Sequence, residues 1–252
     1  MIDRMDLSNK ASVIRKQLGE DSSSPIDIFA LVQSLEKVTI VFYPLGQNIS
    51  GACLHGDDSS VIAVNSGMSL GRQRFSIAHE LYHYFYDEDV SSVICHTTIG
   101  KGNDNERSAD IFASYLLMPQ TGLYDKVKKI RGEENRKLVL DDIVGLEQHF
   151  GVSRQSMLIR LQEEKQLTAR EADTMKTNVI SSAAKLGYDV SLYKPTPSDK
   201  NKTTLGYYIK LAEDLLASNS VSSGKYEELL LDAFRDDIVY GDDVEMGEKD
   251  ID

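Results

Sequence analysis

The sequence predicts an α+β fold, a small sheet with an adjoining helix pair, followed by an all-α half. Three observations lead there. β-Branched and aromatic runs separated by turn signals cluster between residues 38 and 65. Two amphipathic helical stretches come next, one of them holding two histidines one turn apart. Beyond about residue 125 the strand signals stop while helical periodicity continues.

The elements follow in order. Residues 7–18 have helical periodicity, and Pro25 suits the first turn of a second helix through "IDIFALVQSLE". "VTIVFYPL" (38–45) reads as a strand ended by Pro44, and "ISGACLHG" and "SVIAVN" flank "DD" as a hairpin. A long helix runs from about Ser69 to Tyr86, a polar irregular stretch covers 87–104, and "NERSADIFASYLLMP" forms a helix stopped by Pro119. Residues 140–164 read as helix, turn, helix, with Gly151 at the break and Ser153 as the cap of the second helix. Residues 189–204, with Pro195 and Pro197, read as a linker before two last helices. The expected organisation is 1–125 as one domain and 126–188 as a helix-turn-helix-like region. A linker with C-terminal helices fills 189–240, and 241–252 is a disordered acidic tail, with six Asp/Glu against one Lys.

Composition removes several function classes. No apolar run reaches the roughly 18–20 residues that span a bilayer, and the N-terminus lacks the apolar core of a signal peptide. A cytoplasmic protein is therefore expected. Cys53 and Cys95 are the only cysteines, which implies buried free thiols rather than metal ligands or a disulfide, with Cys95 or His96 next in line should Glu106 not be the third ligand. The net charge of −12 repels nucleic acid unless a local basic patch overrides it. Ser153, Arg154 and Gln155 stand where a recognition helix would meet DNA. Residues 139–166 nevertheless carry a net −2, so DNA binding is not expected.

The chemistry is concentrated in "RFSIAHELYHYFY", residues 74–86. His79 and His83, at i and i+4, share one helix face and can aim two imidazoles at one ion. Glu80 is rotated by about 100°, beside the ion but off its ligand face, where a general base must lie. With 5 His and 16 Glu in the chain, chance supplies roughly 0.006 such motifs, so the pattern needs downstream support. A catalytic zinc site also needs a third protein ligand. No histidine lies at the metzincin spacing, where Asp89 stands, but Glu106 opens the next helix 23 residues after His83. Asp110, one turn further on, could accept the spare N–H of a bound imidazole, that of His79 above all. The expected set is His79, His83 and Glu106 as metal ligands, Glu80 as base and Asp110 behind the ligands. Zinc is the expected ion, although N/O donors also suit Mn²⁺ and Fe²⁺. Tyr82, Tyr115, His96 and His149 are candidates to stabilise an oxyanion, none singled out by spacing. The hairpin is a candidate edge for holding an extended peptide.

These residues resemble the ImmA/IrrE family of metallopeptidases. Its pattern, R-F-x-x-A-H-E-x-x-H, then E-x-x-A-N-x-F-A and L-L-M-P, is matched by Arg74 to His83, by Glu106, Ala109, Phe112 and Ala113, and by Leu116 to Pro119. Tyr82 stands where Gly is common and Asp110 where Asn is common; neither departure removes a ligand. The resemblance is strong over about residues 5–125, and "FGVSRQSMLIRL" resembles the family's companion region. It implies a gluzincin-like minimal peptidase, a zinc metalloendopeptidase acting on a specific protein. The implied substrate is a helix-turn-helix repressor, making the chain an anti-repressor. Two other readings stand beside it: a non-proteolytic DNA-binding regulator, and a toxin or effector released by a partner.

Overall fold

The computed structural model describes residues 2–87, 92–96, 98–100 and 102–241. Helix α1 (Arg4–Gln17) starts at Asp3, whose carboxylate accepts from the Met5 and Asp6 amides, and ends with Arg15 and Lys16 against the C-terminal dipole. A short α2 (Ile28–Gln33) leads into β1 (Val38–Tyr43), β2 (Ile49–His55) and β3 (Ser60–Asn65). Helix α3 (Leu70–Tyr86), β4 (Ser92–His96), α4 (Asp104–Leu117) and α5 (Gln120–Arg131) complete the part that carries the motif. The helical half comprises α6 (Leu140–Phe150), α7 (Arg154–Glu163), α8 (Ala169–Thr174) and α9 (Val179–Lys185). Last come β5 (Thr203–Gly206), α10 (Tyr207–Ala217), α11 (Ser223–Asp232) and α12 (Asp236–Tyr240). No helix among the described residues is long and apolar enough to cross a membrane.

The fold is mixed α+β. Its five strands are ordered β4-β2-β3-β1-β5, with β1 parallel to β3 and every other pair antiparallel. Alternation along the strands buries Ile40 and Phe42 of β1, Cys53 of β2, and Ile62 and Val64 of β3. Those side chains share one apolar core with Phe75, Ile77, Ala78 and Leu81 of α3 and with Ala109, Phe112 and Leu116 of α4. Helix α3 therefore lies sandwiched, with the sheet on one side and α4 on the other. Arg15 fixes the far end of α4: fully buried, it donates to the Leu116 carbonyl at 2.6 Å and to the Asp21 carbonyl at 2.7 Å.

The helical half packs onto the same core, which continues through Ile143, Leu146, Phe150, Leu158 and Leu161 to Ala172. Gly71 permits this close approach, since a Cβ there would stand 2.8 Å from the Ser153 amide nitrogen. The turn at Gly151 and the cap at Ser153, which accepts from the Ser156 amide, lie where the sequence places them. Arg154 does not project outward. It is buried, ion-paired with the buried Glu147, and donates to the Met175 carbonyl at 2.8 Å and Ser182 Oγ at 3.0 Å. Arg160 is likewise buried, its guanidinium 3.9 Å from the centre of the Tyr115 ring. Two of the three cations of residues 139–166 are thus spent on internal contacts.

Several elements differ from the sequence reading. The stretch 87–104 is not wholly irregular, because β4 pairs with β2. β2 is consequently an inner strand, and β4 takes the edge position assigned to the hairpin. Strands do not end before residue 125 either, since β5 pairs with β1. The stretch 189–204 is tied down: Tyr193 is buried, Ser69 bridges to Pro195, and Gln73 donates to Thr196 Oγ1 at 3.1 Å. Helix α2 is shorter than expected and capped by Asp27, with Pro25 outside it. The last expected helix breaks into α11 and α12 around Phe234, which has φ +58°. The acidic tail from residue 242 lies outside the described residues.

Two outcomes follow from the buried Arg154. Arg154→Ala leaves the Glu147 carboxylate buried without its partner and is expected to lower stability by about 3–5 kcal/mol in urea denaturation. The exposed face of α7 lacks its central cation, so no sequence-specific duplex binding is expected at physiological salt in a fluorescence-anisotropy titration.

Candidate metal centre

Helix geometry builds the centre. His79 and His83 project from one face of α3 toward α4, where Asn103 caps the first turn by accepting from the Glu106 amide at 2.9 Å. That cap places Glu106 one turn from the helix start, aimed back at α3. His79 Nε2 and His83 Nε2 lie 3.2 Å apart, and each is 3.4 Å from a different oxygen of Glu106. The tetrahedral edge implied by zinc–nitrogen bonds of 2.0–2.1 Å is about 3.3–3.4 Å, so each of these separations has the size of a tetrahedral edge.

The other ring nitrogens set the polarity of this triangle. His79 Nδ1 meets Asp110 Oδ1 at 2.9 Å, and His83 Nδ1 meets Asp87 Oδ2 at 2.6 Å. Carboxylates accept, so each Nδ1 carries a proton and Nε2 is the nitrogen left to face a cation. Two lone pairs and a carboxylate facing one another at 3.2–3.4 Å repel unless a positive charge joins them. The acids are anchored in turn: Asn105 Nδ2 donates to Asp87 at 2.6 Å, and the Gly100 amide donates to Asp110 at 2.6 Å. Burial favours neutral imidazoles and prevails at His83, whose pKa is lowered. At His79 burial also acts downward, but hydrogen bonds with Asp110, Cys95 and Glu106 outweigh it and hold the pKa well above its usual value, so without a cation the triangle carries its positive charge as a proton on His79, which a bound cation would displace. Burial pushes the Glu106 pKa up, and the adjacent His79 more than reverses this, keeping the carboxylate ionised.

Glu80 sits beside the triangle, fully buried under the sheet. Its Oε2 accepts from Cys95 Sγ at 3.3 Å, while Oε1 has no hydrogen-bond partner. Burial raises its pKa to about 7. Gly51 on β2 makes the room, because a Cβ there would stand 2.6 Å from Glu80 Oε1. A small pocket against His79 shares Phe75, Ile99, Asp110 and Ser156 with a neighbouring pocket of about 360 Å³.

Sequence reasoning missed Asp87 and Gly51 here, and ranked Cys95 behind Glu106. Asp87 stands four residues after His83, the same spacing as from His79 to His83, and that repeat was its signal. Cys95 joins His79, His83 and Glu106 in one group of donor atoms, all within 4.8 Å of one another. The sequence offers it only as a substitute for Glu106, with His96, because it falls in a stretch that reads as irregular. Gly51 had no signal. Of the oxyanion candidates, Tyr82 packs on Phe112 and Tyr86 and meets the His83 ring edge-on at 5.7 Å, Tyr115 lies beneath Arg160, and His149 rests on Phe150. The His96 side chain lies outside the described residues.

The model of the IrrE N-terminal-like domain matches residues 36–162, half of the chain, from just before β1 to the end of α7. The chain belongs to the IrrE N-terminal-like peptidase family. A relative, the radiation response metalloprotease IrrE of Deinococcus deserti, is 27% identical over 229 residues. That similarity covers 82% of this chain and 78% of the relative. This IrrE-like chain is thus a member of a metalloprotease family, and its His/His/Glu group is the candidate metal site.

The geometry predicts about one divalent ion per chain in the purified protein. His83→Ala and Glu106→Ala each remove one corner of the triangle, and inductively coupled plasma mass spectrometry should show occupancy falling sharply in both. Undiminished metal in the Glu106 variant would remove that carboxylate from the site.

Proposed function

We propose that the chain is a zinc-dependent endopeptidase, with His79, His83 and Glu106 holding the ion and Glu80 as the general base. The observation that carries this reading is the donor triangle with a buried, unpaired carboxylate oxygen beside it. Two nitrogens and one oxygen form the three-ligand set of catalytic zinc sites. When bound, zinc supplies Lewis acidity that activates water and polarises a carbonyl. The protein residues do the rest. Asp110 and Asp87 hold the imidazoles in the tautomer that presents Nε2. Glu80 Oε1 takes the proton of the attacking water and returns it to the leaving amine. A pKa of about 7 matches that double duty, since the optimum for a base that must also act as an acid lies near working pH.

The substrate in this proposal is a specific protein, a helix-turn-helix repressor, and its cleavage relieves repression. Charge supports the pairing, because a DNA-binding protein is basic and this chain carries −12. The edge strand β4 offers main-chain hydrogen bonds to an extended segment, and the 360 Å³ cavity near His79 offers room for a side chain. The internal use of Arg154 sets the DNA-binding alternative lower.

Glu80→Gln separates catalysis from metal binding. Gln keeps the shape but cannot accept the proton, so turnover of a repressor substrate should fall by at least about 10²-fold with metal content and substrate binding retained. Wild-type turnover at equal metal occupancy would sink the assignment of the base.

A further inference from the structure

The proposed function uses three protein donors, yet the cluster contains four. Cys95 Sγ lies with the donor atoms of His79, His83 and Glu106 in a group no wider than 4.8 Å. The thiol is fully buried and held in place by the strand register, in which Cys95 faces Gly51 across the β2–β4 ladder. It therefore points at the centre rather than at solvent. Its hydrogen already has a destination, Glu80 Oε2 at 3.3 Å. The other thiol, Cys53, is also buried but stands outside the donor group.

Building on the zinc-site reading, we propose that Cys95 is a fourth metal donor that closes the site at rest. Zinc takes thiolate sulfur readily, and two nitrogens, one oxygen and one sulfur complete a tetrahedral set. Four protein ligands characterise a structural zinc site, whereas hydrolysis requires one position open to water. The closed form is accordingly latent. Opening withdraws the sulfur and leaves that position to water, with Glu80 beside it. The release element is the strand carrying the thiol. β4 holds the edge position of the sheet, so a substrate segment adding along its outer side engages the strand that must shift. Cleavage is thereby tied to correct docking, which restrains the peptidase toward other proteins.

Cobalt(II) substitution tests the proposal without an activity assay. Cobalt-loaded wild-type protein should show the intense near-ultraviolet sulfur-to-cobalt charge-transfer band together with the visible bands of a tetrahedral site. Cys95→Ser should lose the ultraviolet band, and Cys53→Ser should keep it. A tetrahedral visible spectrum without that band in wild-type protein would overturn the role of Cys95 while leaving the His79/His83/Glu106 site intact. Failure to take up cobalt at all would overturn both. The wild-type spectrum decides even if the Cys95 variant does not fold. Where it folds, a closed fraction of about nine-tenths predicts roughly tenfold faster turnover of a repressor substrate. Unchanged turnover in a folded, metal-loaded Cys95→Ser protein would count against latency.

Discussion

Two imidazole Nε2 atoms facing each other 3.2 Å apart, with a carboxylate closing the group, are the constraint on which the rest of this structure depends. Left to itself, such an arrangement would relax by rotating one ring away. It is held because each ring is gripped on its far side by an anchored aspartate, and because α3 is packed between the sheet and α4. Desolvation sharpens every interaction there, since burial weakens screening and makes an unsatisfied charge costly. The core therefore does more than stabilise the chain. It keeps two Nε2 atoms and a carboxylate in a geometry that a divalent cation relieves.

The same logic explains why the base lies where it does. Glu80 shares the helix with the histidines but faces the sheet, and the missing side chain at Gly51 leaves space for its carboxylate. A carboxylate buried in this way rises toward neutral pH in its proton affinity, which suits alternating acceptance and donation. The helical half supports the arrangement from behind, through Gly71 against Ser153 and through a core shared by both parts of the chain. Its buried cations, Arg154 and Arg160, show a helix-turn-helix shape spent on internal packing instead of phosphate contacts.

Much was legible in the sequence because it depends on local periodicity. The 3.6-residue repeat puts His79 and His83 on one face and rotates Glu80 off it, whatever surrounds the helix. The β-branched runs announced β1 and the β2–β3 hairpin, and Glu106 marked the opening of α4. The i, i+4 relation of Glu106 to Asp110 likewise needed no tertiary knowledge, only the knowledge that a helix was present. Asp87 was legible on the same grounds and was overlooked.

What the tertiary structure alone decided arises from contacts between distant segments. β4 and β5 are short strands whose partners, β2 and β1, lie far from them in sequence, so neither had a local pattern strong enough to announce it. Pairing of β4 with β2 moved the sheet edge and carried Cys95 into the donor cluster, 12 residues after His83 but on another element. Gly51 gained its meaning only when β2 was laid across Glu80, and Arg154 lost its outward role only when Glu147 met it inside the core. The sequence by itself determined which side chains one helical turn aligns. The packing of helix against sheet decided which of the remaining polar groups meet them, because distances between remote segments are set by burial of the whole core and not by any local repeat.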